Sequence, residues 1–275
     1  MMAAVALATT VELLRFTPQS HRTDALLTTL ARSAAPAGVT LVSTQAYHGG
    51  ADWLVLWGPG APDRVAPMRQ QLEAGGRVLC FDLAYWDRDR KVRVSIDAPH
   101  PQAWVMRKDW PASRLTADRI ALGNVWRPDG PVVMAGIGDK ARVQYGSAVS
   151  AWETEMIAAC RARGRVVHYR PKRVASVPWD TVPATSGPIE RALHHASLVI
   201  TWHSNVAIDA IRLGIPVICR DGAAAAVCAS AFPAVGDPQP LPPDVRDRFL
   251  ANVAWFQWAP RESLALWAWL RELLA

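Results

Sequence analysis

The 275-residue sequence has few cysteines, few lysines and no long apolar run. Its four cysteines form no CxxC pair and mostly fall within strand or helix patterns, which favours reduced core thiols over a disulfide framework or a zinc site. No apolar stretch approaches the roughly 20 residues that cross a bilayer, and no basic leader precedes the first apolar run. The sequence therefore predicts no membrane span and a cytoplasmic location. The cysteines are Cys80, Cys160, Cys219 and Cys228.

Although only four residues are lysine, the chain is basic because arginine is abundant. Lysine and arginine total 30 against 24 acidic residues, which gives a net charge of +6 and a pI near 9.5. Such a balance favours a nucleotide, a nucleic acid or an anionic glycan as partner. The arginines are spread along the chain, and no basic run with interleaved aromatic residues marks a nucleic-acid arm.

The first half alternates strand-like and helix-like segments, as expected of βαβ units in a parallel sheet. Residues 87–130 are rich in Pro, Asp and Arg, so they are predicted to be irregular and to end in a linker. We therefore expect an α/β domain over residues 1–130. The predicted strands are 4–9, 39–43, 53–56 and 78–82, and the predicted helices are 23–32 and 63–73.

The alternation of strand-like and helix-like segments resumes after residue 130 and predicts a second α/β domain over residues 131–245. Residues 246–275 break the pattern with two predicted helices, 246–258 and 262–274, which carry four tryptophans. Aromatic residues at helical spacing are usually core, so we expect a C-terminal helix that packs back on the first domain. The predicted fold is two Rossmann-like α/β domains with this crossover. In the second domain the predicted strands are 132–135, 166–169 and 198–201, and the predicted helices are 151–163 and 188–195.

Residues 198–222 carry the clearest local sign of a ligand site, because an apolar strand runs into a polar turn, a helix and a second strand. Ser204 or Asn205 is predicted to cap the helix, and Gly214 to end it. A helix that starts at the carboxyl edge of a parallel sheet directs free N–H groups at an anion, although an ordinary βαβ unit would look similar. The polar candidates here are His203, Ser204, Asn205, Asp209, Arg220 and Asp221.

A glycine-rich turn follows the strand at 132–135. Gly136 and Gly138 would let backbone N–H groups approach a phosphate closely, and Lys140 could neutralise it. With Ala141 they also satisfy the GxGxxA dinucleotide fingerprint. The pattern predicts no helix directly after the turn, and the next strand ends in basic residues where an NAD site has an acidic one. An NADP site tolerates such bases and stays an alternative.

Three basic residues, Arg170, Lys172 and Arg173, follow that next strand. Charge runs are usually solvated. However, parallel strands end at one edge of their sheet, which places these cations beside Lys140 and the turn at Ser204. Cations at such an edge suit phosphate oxygens. The sequence therefore predicts a diphosphate site there.

Five motifs, AGIGDK, YRPK, WHSNVAIDA, LGIPVICRDG and AWFQW, carry a resemblance. Residues 131–222 resemble the nucleotide-sugar-binding domain of GT-B-fold glycosyltransferases and of the related UDP-N-acetylglucosamine 2-epimerases, and the tail is similar to bacteriophage-encoded glycosyltransferases. The resemblance implies that Ser204 and Asn205 contact the donor diphosphate and that Asp209 binds the nucleotide ribose. It also implies a nucleotide-sugar donor, with a UDP-sugar favoured, and no required metal.

The first half would then bind the acceptor. Inverting transfer needs a carboxylate or imidazole that deprotonates the acceptor hydroxyl, while positive groups stabilise the leaving diphosphate. Asp82, at the end of a predicted strand, is the first candidate base, and Asp97 and His100 follow. Asp82 could equally cap a turn, and His100, between two prolines, suits a surface loop.

The sequence thus predicts a glycosyltransferase that binds a nucleotide-diphosphate sugar in an interdomain cleft. The candidate acceptors are a hydroxymethylated base in phage DNA, a glycan and a small molecule. An NADP-binding oxidoreductase and a non-catalytic nucleotide- or DNA-binding module are the alternatives from other functional classes.

Overall fold

A computed structural model describes residues 9–16, 21–172, 187–229 and 232–274 of the chain. The chain divides into two compact units. One comprises Met1–Pro101 together with Phe256–Ala275, and the other comprises Gln102–Trp255. Both are Rossmann-like α/β units. The assignment of residues 1–130, 131–245 and 246–275 to an acceptor domain, a donor domain and a crossover stays a prediction.

The first unit contains a six-stranded mixed sheet in the order β10, β5, β4, β3, β1, β2. Strands β1 to β4 are parallel, β5 is antiparallel to β4, and β10 is antiparallel to β5. The middle of β3 is buried on both faces, as in other sheets that helices cover on both sides. The strands are β1 (Thr9–Leu14), β2 (Val39–Thr44), β3 (Trp53–Trp57), β4 (Arg77–Leu83), β5 (Val92–Ile96) and β10 (Gln257–Trp258).

Helices from both ends of the chain pack on this unit. Helix α1 (His21–Ala34) lies against α9 (Ser263–Leu274), and α2 (Pro62–Glu73) packs against β3 and β4. The indole N–H of Trp267 in α9 donates to the hydroxyl of Ser33 at 3.0 Å. The C-terminal helix therefore packs on the first unit, as predicted. Among the described residues, no helix combines the length and the apolar character that crossing a bilayer requires.

The second unit contains a parallel sheet in the order β7, β6, β8, β9. The observed β6 and β8 coincide with the predicted strands 132–135 and 198–201. Helix α5 covers one face, where Trp152 and Met156 pack among the strand side chains. The strands are β6 (Val132–Ala135), β7 (Val167–Arg170), β8 (Leu198–Thr201) and β9 (Val217–Cys219). The helices are α3 (Ser113–Ala117), α4 (Asp139–Tyr145), α5 (Ser147–Arg161), α6 (Ile189–Leu193), α7 (Val206–Arg212) and α8 (Pro243–Trp255).

The first strand starts later than the sequence predicts. The predicted strand at 4–9 lies mostly outside the described residues. The observed β1 was not recognised in full, because Glu12 interrupts its apolar run. The buried carboxylate of Glu12 accepts hydrogen bonds from the Thr44 hydroxyl at 2.9 Å and from the N–H groups of His48 and Gly49 at 2.8 and 3.1 Å. These bonds hold the crossover from β2 to β3 and offset the cost of burying the charge.

Residues 87–130 are not irregular throughout, because they contain β5 and α3. Every residue of β5 is buried, including Arg93 and Ser95, so the strand carries two polar residues without a solvent face. The predicted helix at 246–258 is also too long, since α8 ends at Trp255 and β10 follows. The side-chain oxygen of Gln257 in β10 accepts from the N–H of Tyr85 at 2.7 Å, a long-range bond that sequence periodicity does not reveal.

Candidate functional site

The second sheet has a topological switch point between β6 and β8. The chain connects β6 to β7 on one side and β8 to β9 on the other. Open α/β sheets bind ligands outside the carboxyl ends of their strands at such a point, because the two loops diverge there. Residues 136–138 follow β6 and residues 202–205 follow β8. Both loops that the sequence singled out therefore lie at this crevice.

Both glycines of the turn after β6 pack closely against neighbouring residues. A Cβ on Gly136 would lie 2.3 Å from the Tyr169 hydroxyl, and a Cβ on Gly138 would lie 2.9 Å from Cδ of Lys172. The N–H of Gly136 also donates to the carbonyl of Arg170 at 2.9 Å. The aliphatic part of Lys172 thus lies against Gly138, so the predicted glycine turn and the predicted basic loop are in contact.

Helix α4 begins at Asp139, and Gly138 is its N-cap residue. The prediction that no helix follows the turn directly was therefore wrong. The sequence pattern misses α4 because the helix ends at Tyr145, before Gly146, and is too short to develop an apolar period. The side chain of Lys140 and the whole of Arg173 lie outside the described part of the chain.

A buried glutamate of α5 accepts hydrogen bonds from this turn, from β7 and from α4. Glu153 is 0% exposed, and its Oε1 accepts hydrogen bonds from the N–H of Ile137 and the hydroxyl of Tyr169, both at 3.1 Å. Its Oε2 accepts from the Arg142 guanidinium at 2.7 Å, and Arg142 also donates to Ser150 at 2.6 Å. Burial opposes the charged form of Arg142, but the charge of Glu153 and the bond to it outweigh burial and raise the pKa of Arg142.

The turn after β8 is held by its own polar side chains. The N–H of Ser204 donates to the hydroxyl of Thr201 at 3.1 Å, and the Ser204 hydroxyl accepts from the N–H of Val206 at 3.4 Å. Asn205 is the N-cap residue of α7, which has seven residues. Gly214, with a φ of +73°, follows the end of this helix, as predicted. So short a helix has a weak dipole, so its side chains and loop amides matter more for a ligand than its axis does.

Asp221 links the β9 turn to α4. Its Oδ2 accepts a 2.6 Å hydrogen bond from the hydroxyl of Tyr145, and its Oδ1 accepts one of 2.6 Å from the N–H of Gly222. The ring of Tyr145 also lies near Trp202 and His203, with centroid distances of 5.4 and 6.1 Å. Burial, and then the bond to Asp221, raise the pKa of Tyr145, so its hydroxyl stays protonated and donates.

The remaining predicted donor residues have different surroundings. Asp209 is half-buried in α7 and forms an ion pair of 3.8 Å with Arg212. Arg220 is exposed, and its N–H donates to the carbonyl of Thr201 at 3.2 Å. A buried guanidinium nitrogen of Arg170 has no hydrogen-bond partner within the described ranges. The structure thus brings all the predicted loops to one edge of the sheet, with Asp209 one helical turn behind them.

The three candidate bases do not share one position in the first unit. Asp82 is the last residue but one of β4. It accepts from the Arg93 guanidinium at 3.0 Å, with Asp82 38% and Arg93 4% exposed. Asp97 follows β5, which runs antiparallel to β4, and it accepts from the N–H of Val78 at the start of β4. Asp97 therefore lies at the opposite edge of the sheet from Asp82. His100 is only 8% exposed.

Two residues of the site, Glu153 and Tyr145, were not identified from the sequence. Glu153 stands in an amphipathic helix among small and apolar residues, where a single glutamate is usually read as solvent-facing. Its neighbours Trp152 and Met156 mark the buried face, and this was the available signal. Within the described ranges, no three His, Cys, Asp or Glu side chains cluster as a metal site.

No protein-family model and no curated protein sequence match this chain. Among solved structures, the KpsC beta Kdo 2,7 transferase of Thermosulfurimonas dismutans is similar, with a TM-score of 0.54 and 9% identity over 96% of this chain and 99% of that one. The KpsC beta Kdo 2,4 transferase of the same organism gives 0.47 and 14%, covering 88% and 98% of the two chains. A putative UDP-N-acetylglucosamine 2-epimerase of Listeria monocytogenes gives 0.28 and 11%, covering 77% and 78%.

The similarity to the KpsC beta Kdo 2,7 transferase, together with the two sheets described above, defines the architecture. Each unit has a sheet with a parallel core and a switch point between its first and third strands. The chain therefore has two Rossmann-like domains and a fold like that of GT-B glycosyltransferases.

Proposed function

We propose that this protein is a glycosyltransferase that binds a nucleotide-diphosphate sugar and transfers the sugar to an acceptor hydroxyl. The observation that carries the proposal is the contact between Lys172 and Gly138 at the switch point of the second sheet. A cation that lies across a glycine turn at the carboxyl edge of a parallel sheet is well placed for a phosphate, because the turn lets backbone N–H groups approach it as well.

The leaving group of this reaction is a nucleoside diphosphate, on which negative charge develops as the glycosidic bond breaks. Lys172 and Arg170 would stabilise that charge, and the side chain of Lys140 is predicted to join them. The buried Arg170 nitrogen, which has no partner among the described residues, supports a cationic role at this edge. We propose that these groups serve in place of a metal ion.

The turn after β8 would recognise the rest of the donor. Ser204 and Asn205 offer a hydroxyl and an amide beside the diphosphate, and His203 lies in the same turn. We propose that Asp209 binds the ribose, with Arg212 holding its carboxylate in place. Asp221 would act indirectly, by holding Tyr145 of α4 against the turn after β9.

We propose Asp82 as the base that deprotonates the acceptor, ahead of Asp97 and His100. Asp82 stands at the carboxyl edge of the first sheet and is the more exposed member of its pair with Arg93. A carboxylate has about four acceptor positions, so a bond to Arg93 and one to the N–H of Leu83 leave capacity for a substrate hydroxyl. Asp97 is held by Arg77 and Val78 at the opposite edge.

Binding of nucleotides tests the donor site. Nucleoside mono- and diphosphates of each base, UDP-sugars and NADP are titrated against the protein by calorimetry. We expect a nucleoside diphosphate or its sugar to bind, and Lys172→Gln to raise its Kd about tenfold, since one charge-assisted hydrogen bond is lost. Arg163→Gln is the matched control, because it removes one exposed charge just before β7 and leaves the proposed site intact.

NADP is the main rival ligand, because α4 starts directly after Gly138 of the GxGxxA pattern and the loop after β7 carries cations. Binding of NADP without binding of any nucleoside diphosphate would overturn the transferase proposal in favour of an oxidoreductase. Binding of a nucleotide without hydrolysis or transfer of any activated sugar would favour a non-catalytic module.

The acceptor proposed first is a hydroxymethylated base in DNA, because the chain is basic and resembles phage glycosyltransferases in its tail. A base inside a duplex must be extruded before its hydroxymethyl group can react. The test measures transfer of labelled sugar to duplex and single-stranded DNA with and without hydroxymethylcytosine. Transfer to a glycan or a small molecule, and none to either DNA, would overturn the DNA acceptor while retaining the transferase.

A further inference from the structure

We propose that Glu153 is a positioning residue that fixes the conformation of the glycine turn at 136–138, and through it the affinity for the donor. This inference rests on the proposed function, since it assigns the turn to the donor diphosphate. Glu153 itself cannot touch a ligand, because it is 0% exposed beneath the turn.

Glu153 holds the one residue between the two glycines. Its Oε1 accepts from the N–H of Ile137 at 3.1 Å. The preceding N–H, that of Gly136, donates to the carbonyl of Arg170. Two successive amides of the turn are therefore bound to the protein and not to the ligand. We assign the phosphate to the N–H of Gly138, the remaining amide of the turn.

A turn with two glycines needs such a constraint. Glycine adopts more backbone conformations than any other residue, so a Gly-Ile-Gly sequence held only by its ends would sample several arrangements of the N–H groups. A site that must hold a phosphate within about half an ångström loses affinity when its supporting residues leave it loose. The carboxylate restricts these arrangements before the ligand arrives.

The same carboxylate ties together the elements that carry the proposed cations. Tyr169, which donates to Oε1, precedes Arg170 at the end of β7. Arg142, which donates to Oε2, stands on α4 three residues after Asp139. Glu153 also holds the guanidinium of Arg142, so this cation is engaged with a carboxylate beneath the turn. The position of α4 and that of the basic loop after β7 thus depend on one buried side chain.

Packing alone does not explain why residue 153 is a glutamate. A buried carboxylate is costly and is stable only when its partners compensate it. An apolar residue of similar volume would fill the space beside Trp152 and Met156 without that cost. The hydrogen bonds to three different elements explain why a carboxylate is found there.

Two substitutions of Glu153 separate the effect of its side-chain length from the effect of its negative charge. Glu153→Asp keeps the charge but shortens the side chain by one methylene, so it cannot reach Ile137 from the same backbone. Glu153→Gln keeps the reach but loses the charge that pairs with Arg142. Glu155→Gln, an exposed glutamate of the same helix, is the matched control for the change in charge.

Two quantities are measured for each variant: the Kd for UDP and thymidine diphosphate, and the exchange rate of the Ile137 amide hydrogen by NMR. We expect Glu153→Asp to raise the nucleotide Kd about tenfold or more and to accelerate exchange at Ile137. Glu153→Gln should have the smaller effect on exchange, and Glu155→Gln should match the wild type in both quantities.

Unchanged nucleotide binding in Glu153→Asp, or unchanged exchange at Ile137, would overturn the positioning role. Equal acceleration of exchange at the amides of β6 and β8 would also overturn it, because a general loss of structure affects the whole sheet. If Glu153→Asp does not fold, Glu153→Gln decides the question: it should raise the nucleotide Kd because it loses the charge that pairs with Arg142, and an unchanged Kd would overturn the positioning role. If the wild type binds no nucleotide, the proposed function fails, while exchange at Ile137 still tests whether Glu153 fixes the turn.

Discussion

The hydroxyl of Tyr145 donates a 2.6 Å hydrogen bond to the carboxylate of Asp221, which joins the end of α4 to the turn after β9. Helix α4 starts at the glycine turn, and the β9 turn lies beside the turn after β8 through the bond from the Asp221 N–H to the Trp202 carbonyl. The pair thus connects the loops on the two sides of the switch point. Loss of this hydrogen bond should therefore loosen the loops on both sides of the switch point.

Tyr145→Phe tests this connection. The variant keeps the ring contacts with Trp202 and His203 but removes the donor to Asp221. We expect a loss of about 2 kcal/mol in the free energy of unfolding, as for a hydrogen bond to a carboxylate, and a several-fold rise in the nucleotide Kd. Urea unfolding and calorimetry measure the two effects.

Tyr47→Phe is the control for Tyr145→Phe. It makes the same chemical change in the first unit, where the hydroxyl donates to Gln71 at 2.8 Å. It should lower stability without changing nucleotide binding. If Tyr47→Phe weakens nucleotide binding as much as Tyr145→Phe does, the effect is a general one and the connection across the crevice has no special role.

Alanine substitutions at Gly136 and Gly138 should have different effects. The first should lower the free energy of unfolding, and the second should weaken nucleotide binding. In Gly136→Ala, the new Cβ would meet the Tyr169 hydroxyl at 2.3 Å and the backbone oxygen of Arg170 at 3.1 Å, so the strand itself must shift. We expect it to lower the free energy of unfolding by about 2 kcal/mol, as other overpacked sites do. In Gly138→Ala, the nearest atom is Cδ of Lys172, a flexible side chain that can move away.

Gly138→Ala should therefore unfold at nearly the wild-type urea concentration but bind a nucleotide more weakly, because Lys172 is displaced from the crevice. Gly164→Ala is a control for the loss of a glycine, since a Cβ there meets no atom within 4 Å, although its φ of +66° adds strain. Wild-type affinity in Gly138→Ala would show that the contact with Lys172 does not matter for the ligand.

The strands and loops of the second unit could be predicted because their signals are local. The apolar runs at Val132–Ala135 and Leu198–Thr201 have the length of buried strands, and parallel strands always end at the same edge. The meeting of Gly138 with Lys172 follows from that rule, without any knowledge of side-chain packing. The predicted end of α7 at Gly214 depends on one residue with a positive φ.

The positions that escaped prediction depend on contacts between distant segments. Glu12 and Glu153 are charged residues that become buried because partners far along the chain satisfy them. Asp97 was grouped with Asp82, but the antiparallel direction of β5 moves it to the other edge. Residues 84–91 are too few for a crossover between parallel strands, so the direction of β5 follows once the strand is known. The strand itself was not predicted, because Arg93 and Ser95 interrupt its apolar pattern.

The cysteines should be unreactive in the folded protein. Burial raises the pKa of Cys160 to about 11 and that of Cys228 to about 12, and it also raises those of Cys80 and Cys219. Only the thiolate reacts with disulfide reagents. We expect negligible reaction with Ellman's reagent at pH 8 in the native state and four equivalents after unfolding. Cys228 is only partly buried, so rapid reaction of Cys80, Cys160 or Cys219 before unfolding is the result that would contradict a buried placement.

Asp52 should make the first unit sensitive to acid. Its carboxylate accepts hydrogen bonds from the N–H and the hydroxyl of Thr10 at 2.7 and 2.8 Å. These bonds lower the pKa of Asp52 below its ordinary value of 3.8, because they favour the ionised form. A pKa that is lower in the folded state stabilises the protein above the unfolded-state value, and this contribution disappears as the pH falls through the folded-state value.

Asp52→Asn should therefore be less stable than the wild type at pH 7, and the difference should shrink as the pH falls below about 4. Urea unfolding at pH 7, 5, 4 and 3 measures the difference, and Asp89→Asn, an exposed aspartate of the same unit, is the control. Asparagine can still accept one bond from Thr10, so only the share that depends on ionisation is removed. A difference between Asp52→Asn and the wild type that stays constant from pH 7 to 3 would show that the bonds to Thr10 do not distinguish the ionised carboxylate from a neutral amide.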